Sequence, residues 1–208
     1  MATPREPLPK LYIYDHCPYC TRARMIFGLK DVEHELVFVA NHDEYTPIGL
    51  VGVKMVPILQ LADGKAFGES LDIVRYVDEH FGGPVVLKEA SGREDLKLWF
   101  QQILQYLQRL LYPRKVAAPF AEFALRTSRE YFQNKKEKQV GPFRDLVAKS
   151  PELIAAVEAL LVELDGLLAS EHAVNADGDL KWPPKVRAYV DYYSQAADIP
   201  LLTAMAKF

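Results

Sequence analysis

Leu11-Tyr12-Ile13-Tyr14-Asp15-His16-Cys17-Pro18-Tyr19-Cys20 is the stretch that decides how this chain folds. Leu11 to Tyr14 is a short β-branched and aromatic run and reads as a strand. Arg22 to Leu29 carries good helix formers, stops near Gly28 and reads as a helix. The two cysteines therefore straddle a strand-to-helix turn, where unpaired N–H groups of the first helical turn point outward and favour a thiolate. Cys17, at the mouth of the turn, is the expected nucleophile; Cys20, one turn inside, suits the resolving role. Pro18 fits the first helical position, which needs no amide proton, and Tyr19 adds an aromatic wall beside the sulfur.

Outward from this turn, Glu35 to Ala40 and Val56 to Leu61 read as further strands, the latter with Pro57 at its entrance. Ala62-Asp63-Gly64-Lys65 is a hairpin turn into a short fourth strand at Ala66-Phe67. From Ser70 to Phe81 apolar residues recur three and four apart, at Leu71, Ile73, Val74, Val77 and Phe81, behind a Ser70 placed to cap the helix. Beyond about Arg93 the strand signal stops. Asp95 to Leu111 and Pro151 to Leu168 are strong amphipathic helices. The reading is an α/β domain over 8–84, a connection at Gly82 to Gly92, and an all-helical domain over 93–208.

The chain has 208 residues, enough for one large domain or two small ones. With 25 Lys and Arg against 28 Asp and Glu, it has no excess of positive charge to hold nucleic acid or an anionic membrane. The first ten residues do not read as a signal peptide and no segment is long and apolar enough to span a bilayer, so a cytoplasmic chain is expected. Its two cysteines sit three apart and close too small a loop to brace the fold. In a reducing compartment such a pair reads as redox chemistry or as half a metal site with His16 as a third ligand. Zinc needs a fourth ligand, and His34, His42, His80 and His172 lack ligand spacing, so no metal is expected.

Three motifs together carry a resemblance: Tyr12 to Cys20, Met55-Val56-Pro57-Ile58-Leu59, and Glu69-Ser70-Leu71-Asp72-Ile73-Val74. The chain resembles the glutaredoxins, and along nearly its whole length the glutaredoxin 2 family, large two-domain bacterial glutaredoxins built like a glutathione transferase. The resemblance implies a thioredoxin-like N-terminal domain, an all-α C-terminal domain, glutathione as co-substrate, and disulfide-bearing or glutathionylated proteins as partners of a monomer. It implies a cis Val56-Pro57 bond. It also assigns glutathione contacts to Cys17, Tyr19, Val56, Pro57, Glu69 and Ser70. Each has a physical reason. A residue held extended before proline can pair strand-like with the cysteinyl part of glutathione. A helix N-terminus at Ser70 can seat the γ-glutamyl carboxylate while Glu69 takes the ammonium.

Two features depart from the pattern. Asp15 stands two residues before Cys17, where a carboxylate opposes thiolate formation unless it turns away; helix geometry puts Arg24 above Cys20. Further on, Asn175 to Leu180 runs directly into Lys181-Trp182-Pro183-Pro184 where the family has a buried helix, so a stretch missing between Leu180 and Lys181 is expected. Two other functions compete with a glutaredoxin: a glutathione transferase, which needs a hydroxyl such as Tyr12 or Tyr14 beside glutathione's thiolate, and a non-catalytic, redox-responsive glutathione-binding protein.

Overall fold

In the computed structural model, which describes residues 7–168, strand β1 (Lys10–Ile13) alternates partly exposed and buried residues, with Leu11 and Ile13 sealed inside. Helix α1 (Pro18–Leu29) follows the dithiol turn and returns the chain to β2 (Glu35–Phe38), which pairs parallel with β1, Leu11 opposite Leu36. A parallel pair needs such a crossover. β3 (Ile58–Gln60) lies antiparallel on the other side of β1, Leu11 opposite Leu59, and β4 (Ala66–Phe67) pairs antiparallel with β3. The sheet order is β2-β1-β3-β4. Helix α3 (Ser70–His80) packs against α1. Leu11, Ile13, Ala23, Ile26, Phe27, Leu59, Ile73 and Val77 form the core, and Cys20 is one of its members.

β2 and β3 are shorter than the sequence suggests, and one helix was not legible at all. α2 (Tyr45–Val51), with the sequence YTPIGLV, mixes β-branched residues, proline and glycine, and Tyr45 is almost wholly exposed. Local bonds form it instead: Asp43 accepts from the backbone N and the hydroxyl of Thr46, and Gly52, at φ 78°, closes it in the left-handed region. Ser70 also differs from its expected place. Glu69 occupies the cap position, and Ser70 is the first helical residue, its hydroxyl engaged elsewhere.

By their contacts the residues divide into two compact units. The sequence boundaries at 84 and 93 follow composition; the contacts group Ala118–Phe132 with the first unit, up to Lys88. The reason lies in particular side chains. Phe123, in a single 3-10 turn (Ala121–Phe123), is fully buried with its ring centroid 5.1 Å from that of His16, and Ser128 Oγ lies 2.7 Å from His42 Nδ1. Helix α5 (Arg126–Val140) starts within this segment and supplies residues to both units.

In the second unit α4 (Glu94–Ala117) packs on α6 (Phe143–Ala148) and α7 (Ser150–Leu167). α4 runs past its expected end at Leu111 and through Pro113. Arg114 anchors that extension, donating to Leu110 O and to Ser150 Oγ, both at 2.7 Å. Trp99 Nε1 donates to Leu160 O at 2.6 Å. Among the described residues no helix is long and apolar enough to cross a membrane. The expected gap between Leu180 and Lys181 lies outside the described residues.

Candidate active site

Cys17 occupies the cap position of α1 in extended conformation, followed by Pro18 in the first helical turn. Its backbone N–H donates to Tyr14 O at 3.3 Å, and its carbonyl accepts from Thr21 N at 3.0 Å and Thr21 Oγ1 at 3.2 Å. Its sulfur thus sits where the first helical amides are unpaired within the helix. Neither cysteine is in a disulfide. Cys17 keeps 9% of its surface in contact with solvent, and Cys20 none. The Cys20 thiol is pushed far above its ordinary range, first by its hydrogen bond with Cys17, then by burial and by the charge of Cys17. Cys20 therefore stays protonated and donates to the Cys17 sulfur.

The turn ahead of Cys17 is held by a residue the sequence reading missed. Glu122, 1% exposed, accepts from Asp15 N at 3.0 Å (Oε2) and from His16 N at 3.1 Å (Oε1), and its Oε1 also pairs with His16 Nδ1. Burial alone raises a carboxyl pKa; the bonds from the His16 side chain and backbone outweigh it and hold Glu122 below its ordinary value. The His16 ring is enclosed by Tyr14, Phe120, Phe123 and Phe132. His16, the third ligand that a zinc site would require, is committed through Nδ1 to Glu122. Asp15 also has a partner: Arg24 Nη1 stands 3.3 Å from its Oδ1.

The Val56-Pro57 bond is cis, as the resemblance implies, with Pro57 buried and Val56 packed against the cluster that holds Cys17 and Cys20. Gly68 lies close to the preceding residue, and a Cβ there would come within 2.5 Å of Met55 Sδ. Glu69 is exposed and has φ 67°, a backbone conformation that costs a non-glycine residue about 1–3 kcal/mol. Ser70, 5% exposed, accepts from Arg22 Nη1 at 3.3 Å, and the Arg22 guanidinium lies 5.6 Å from the centre of the Tyr19 ring. A continuous set of contacts thus leads from the dithiol helix to the start of α3.

Comparison with known proteins gives this site a lineage. Residues 95–178 match the family model "Glutaredoxin 2, C terminal domain", and residues 11–85 match "Glutathione S-transferase, N-terminal domain". Glutaredoxin 2 of Escherichia coli K12 is 40% identical over 95% of this chain and 99% of its own length. This chain belongs to the glutaredoxin 2 family. A crystal structure of glutaredoxin 2 from Salmonella typhimurium in complex with glutathione covers 96% of the chain and 99% of its own, at 38% identity and a TM-score of 0.77. A glutathione S-transferase of Ceriporiopsis subvermispora aligns at a TM-score of 0.62 but 16% identity, and that likeness concerns the fold alone. The chain is a glutathione-dependent glutaredoxin.

Proposed function

We propose that this chain reduces glutathione mixed disulfides with Cys17 alone and protein disulfides with Cys17 and Cys20 together. The observation that carries the division of labour is the asymmetry of the pair: Cys17 sits at a helix start with an accessible edge, while Cys20 is sealed and protonated against it.

In the first reaction the Cys17 thiolate attacks the glutathionyl sulfur of a mixed disulfide and the protein leaves as a thiolate. A glutathione thiolate then attacks the Cys17 adduct, giving glutathione disulfide and restoring the Cys17 thiolate. In the second reaction Cys17 opens a protein disulfide, and Cys20 attacks the Cys17 sulfur to release the substrate as a dithiol. The main cause of the high Cys20 pKa is its bond to Cys17. Once Cys17 is in a mixed disulfide, the Cys17 thiolate is gone, so Cys20 becomes easier to deprotonate when it is needed.

Glutathione would lie along Val56, Pro57, Glu69 and Ser70, with Tyr19 beside the sulfur. The glutathione bound by the Salmonella relative supports that co-substrate. The reaction belongs to a reducing cytoplasm and to a monomeric protein.

The test is glutathione-dependent reduction of a small mixed disulfide, coupled to NADPH oxidation through glutathione reductase. Cys17→Ser is expected to be inactive and Cys20→Ser to keep this activity while losing reduction of an intramolecular protein disulfide. Equal loss in Cys20→Ser in both assays removes the assigned roles.

A further inference from the structure

We infer that Glu122 is a positioning residue for the dithiol: by accepting the two peptide N–H groups directly ahead of Cys17, it sets the turn's conformation and the balance between dithiol and disulfide. The inference rests on the reading above that Cys17 and Cys20 cycle between these two states.

A buried carboxylate is strongly unfavourable unless its oxygens are satisfied. The donors that satisfy Glu122 belong to the active-site turn: Asp15 N, His16 N and the His16 ring. Cys17 N is bonded to Tyr14 O, so three successive peptide N–H groups, those of residues 15, 16 and 17, have fixed partners. The Cys17 backbone therefore enters α1 on one path. Phe123 and Phe132, with centroids 5.1 and 5.4 Å from that of His16, keep the His16 ring seated on the carboxylate.

Two consequences act in the same direction. A fixed turn lowers the entropy that Cys17 and Cys20 lose when they join, which favours the disulfide. The carboxylate's negative charge opposes a thiolate at the dithiol, which disfavours the reduced form. Loosening the turn and removing the charge both shift the couple toward dithiol. In Glu122→Gln the amide keeps one acceptor oxygen but turns an NH₂ toward a backbone N–H, so one clamp bond is lost along with the charge.

The experiment equilibrates the full-length protein with mixtures of glutathione and glutathione disulfide. The dithiol converts to the internal disulfide as one glutathione disulfide is cleaved to two glutathiones; trapped thiols are counted by mass. Glu122→Gln is expected to lower the equilibrium constant for disulfide formation about tenfold, a potential about 30 mV less negative. His16→Asn, which leaves both backbone bonds to Glu122, is expected to change it less than threefold. A Glu122→Gln protein with wild-type circular dichroism and a constant within twofold of wild type overturns the inference. So does a His16→Asn shift as large as that of Glu122→Gln. If Glu122→Gln does not fold, amide exchange in the wild type decides: Asp15 and His16 N–H should be as slow as Ile13, and exchange at the rate of an open turn sinks the clamp. A wild type without turnover on mixed disulfides counts against the proposed function, whereas this redox comparison reads the clamp directly.

Discussion

Arg24 Nη1 lies 3.3 Å from Oδ1 of Asp15, and so places a guanidinium beside the one carboxylate that the sequence puts two residues before the nucleophile. The pair spans the dithiol turn, with Asp15 ahead of it and Arg24 nearly two turns into α1.

Removing this cation exposes the Cys17 thiolate to the full charge of Asp15. Asp15 is more than one-third exposed, so solvent screening keeps the effect modest. Arg24→Met is expected to slow alkylation of Cys17 by iodoacetamide at pH 6 by about threefold. Asp15→Asn should speed it, and the double variant should return close to wild type. An Arg24→Met protein alkylated at the wild-type rate shows that the pair has no influence on the thiol.

Ser70 is expected to act on glutathione binding and not on chemistry. Losing one hydrogen bond to a charged group, worth about 1.5 kcal/mol, raises KM about tenfold. Ser70→Ala should show that rise in the coupled assay, with kcat within about twofold because the transition state loses the same contact. A fall in kcat at unchanged KM contradicts a binding role for this hydroxyl.

Asp78 and Lys30 form a buried ion pair within the first unit. Both side chains are only 1% exposed and stand 3.3 Å apart. Asp78 also accepts from Val86 N and Leu87 N, both at 2.9 Å, while Lys30 Nζ donates to the carbonyls of Asp78 and Pro84 at 2.8 and 2.7 Å. Burial pushes the Asp78 carboxyl up, but the bonds from Val86, Leu87 and Lys30 outweigh it and hold it below the ordinary carboxylate range. A depressed carboxyl stabilises fully above its unfolded value, about 3.9, and that contribution fades as pH falls through the lower folded value. Asp78→Ala leaves Lys30 buried without its counter-ion and should cost about 3–5 kcal/mol in urea unfolding at pH 7. The loss should shrink toward pH 3, and one that is constant with pH contradicts the ionised pair.

Gly68 provides room for Met55. An added Cβ would fall 2.5 Å from Met55 Sδ and 2.7 Å from its Cε, so the thioether must move. Sδ and Cε are the far end of a flexible, half-buried side chain that can swing aside, so the cost is about 1 kcal/mol or less. Gly68→Ala should be destabilised in that range, and Met55→Ala in the same chain should recover at least half of it. Without recovery, the strain of Gly68→Ala lies elsewhere than at this contact.

Much of this was legible from local pattern. Leu11 to Tyr14, the dithiol and the helix after it are decided by residue types and spacings within twenty positions, and the three and four spacing after Ser70 fixed α3 equally well. α2 was not legible, because capping by Asp43 and a left-handed Gly52 stabilise it without an amphipathic face. α4 outruns the expected end at Leu111 and passes Pro113, a residue that ordinarily breaks a helix, because Arg114 holds the last turn through Leu110 and Ser150. The sequence by itself determined the strand, the dithiol turn and the helix that begins near Ser70, since each depends on neighbours in the chain. Only the tertiary structure decided what surrounds the dithiol. Glu122 reaches Asp15 and His16 across more than a hundred residues, and Arg22 reaches Ser70 across 48, because such bonds arise where packing brings distant segments together and leave no periodic trace in the chain.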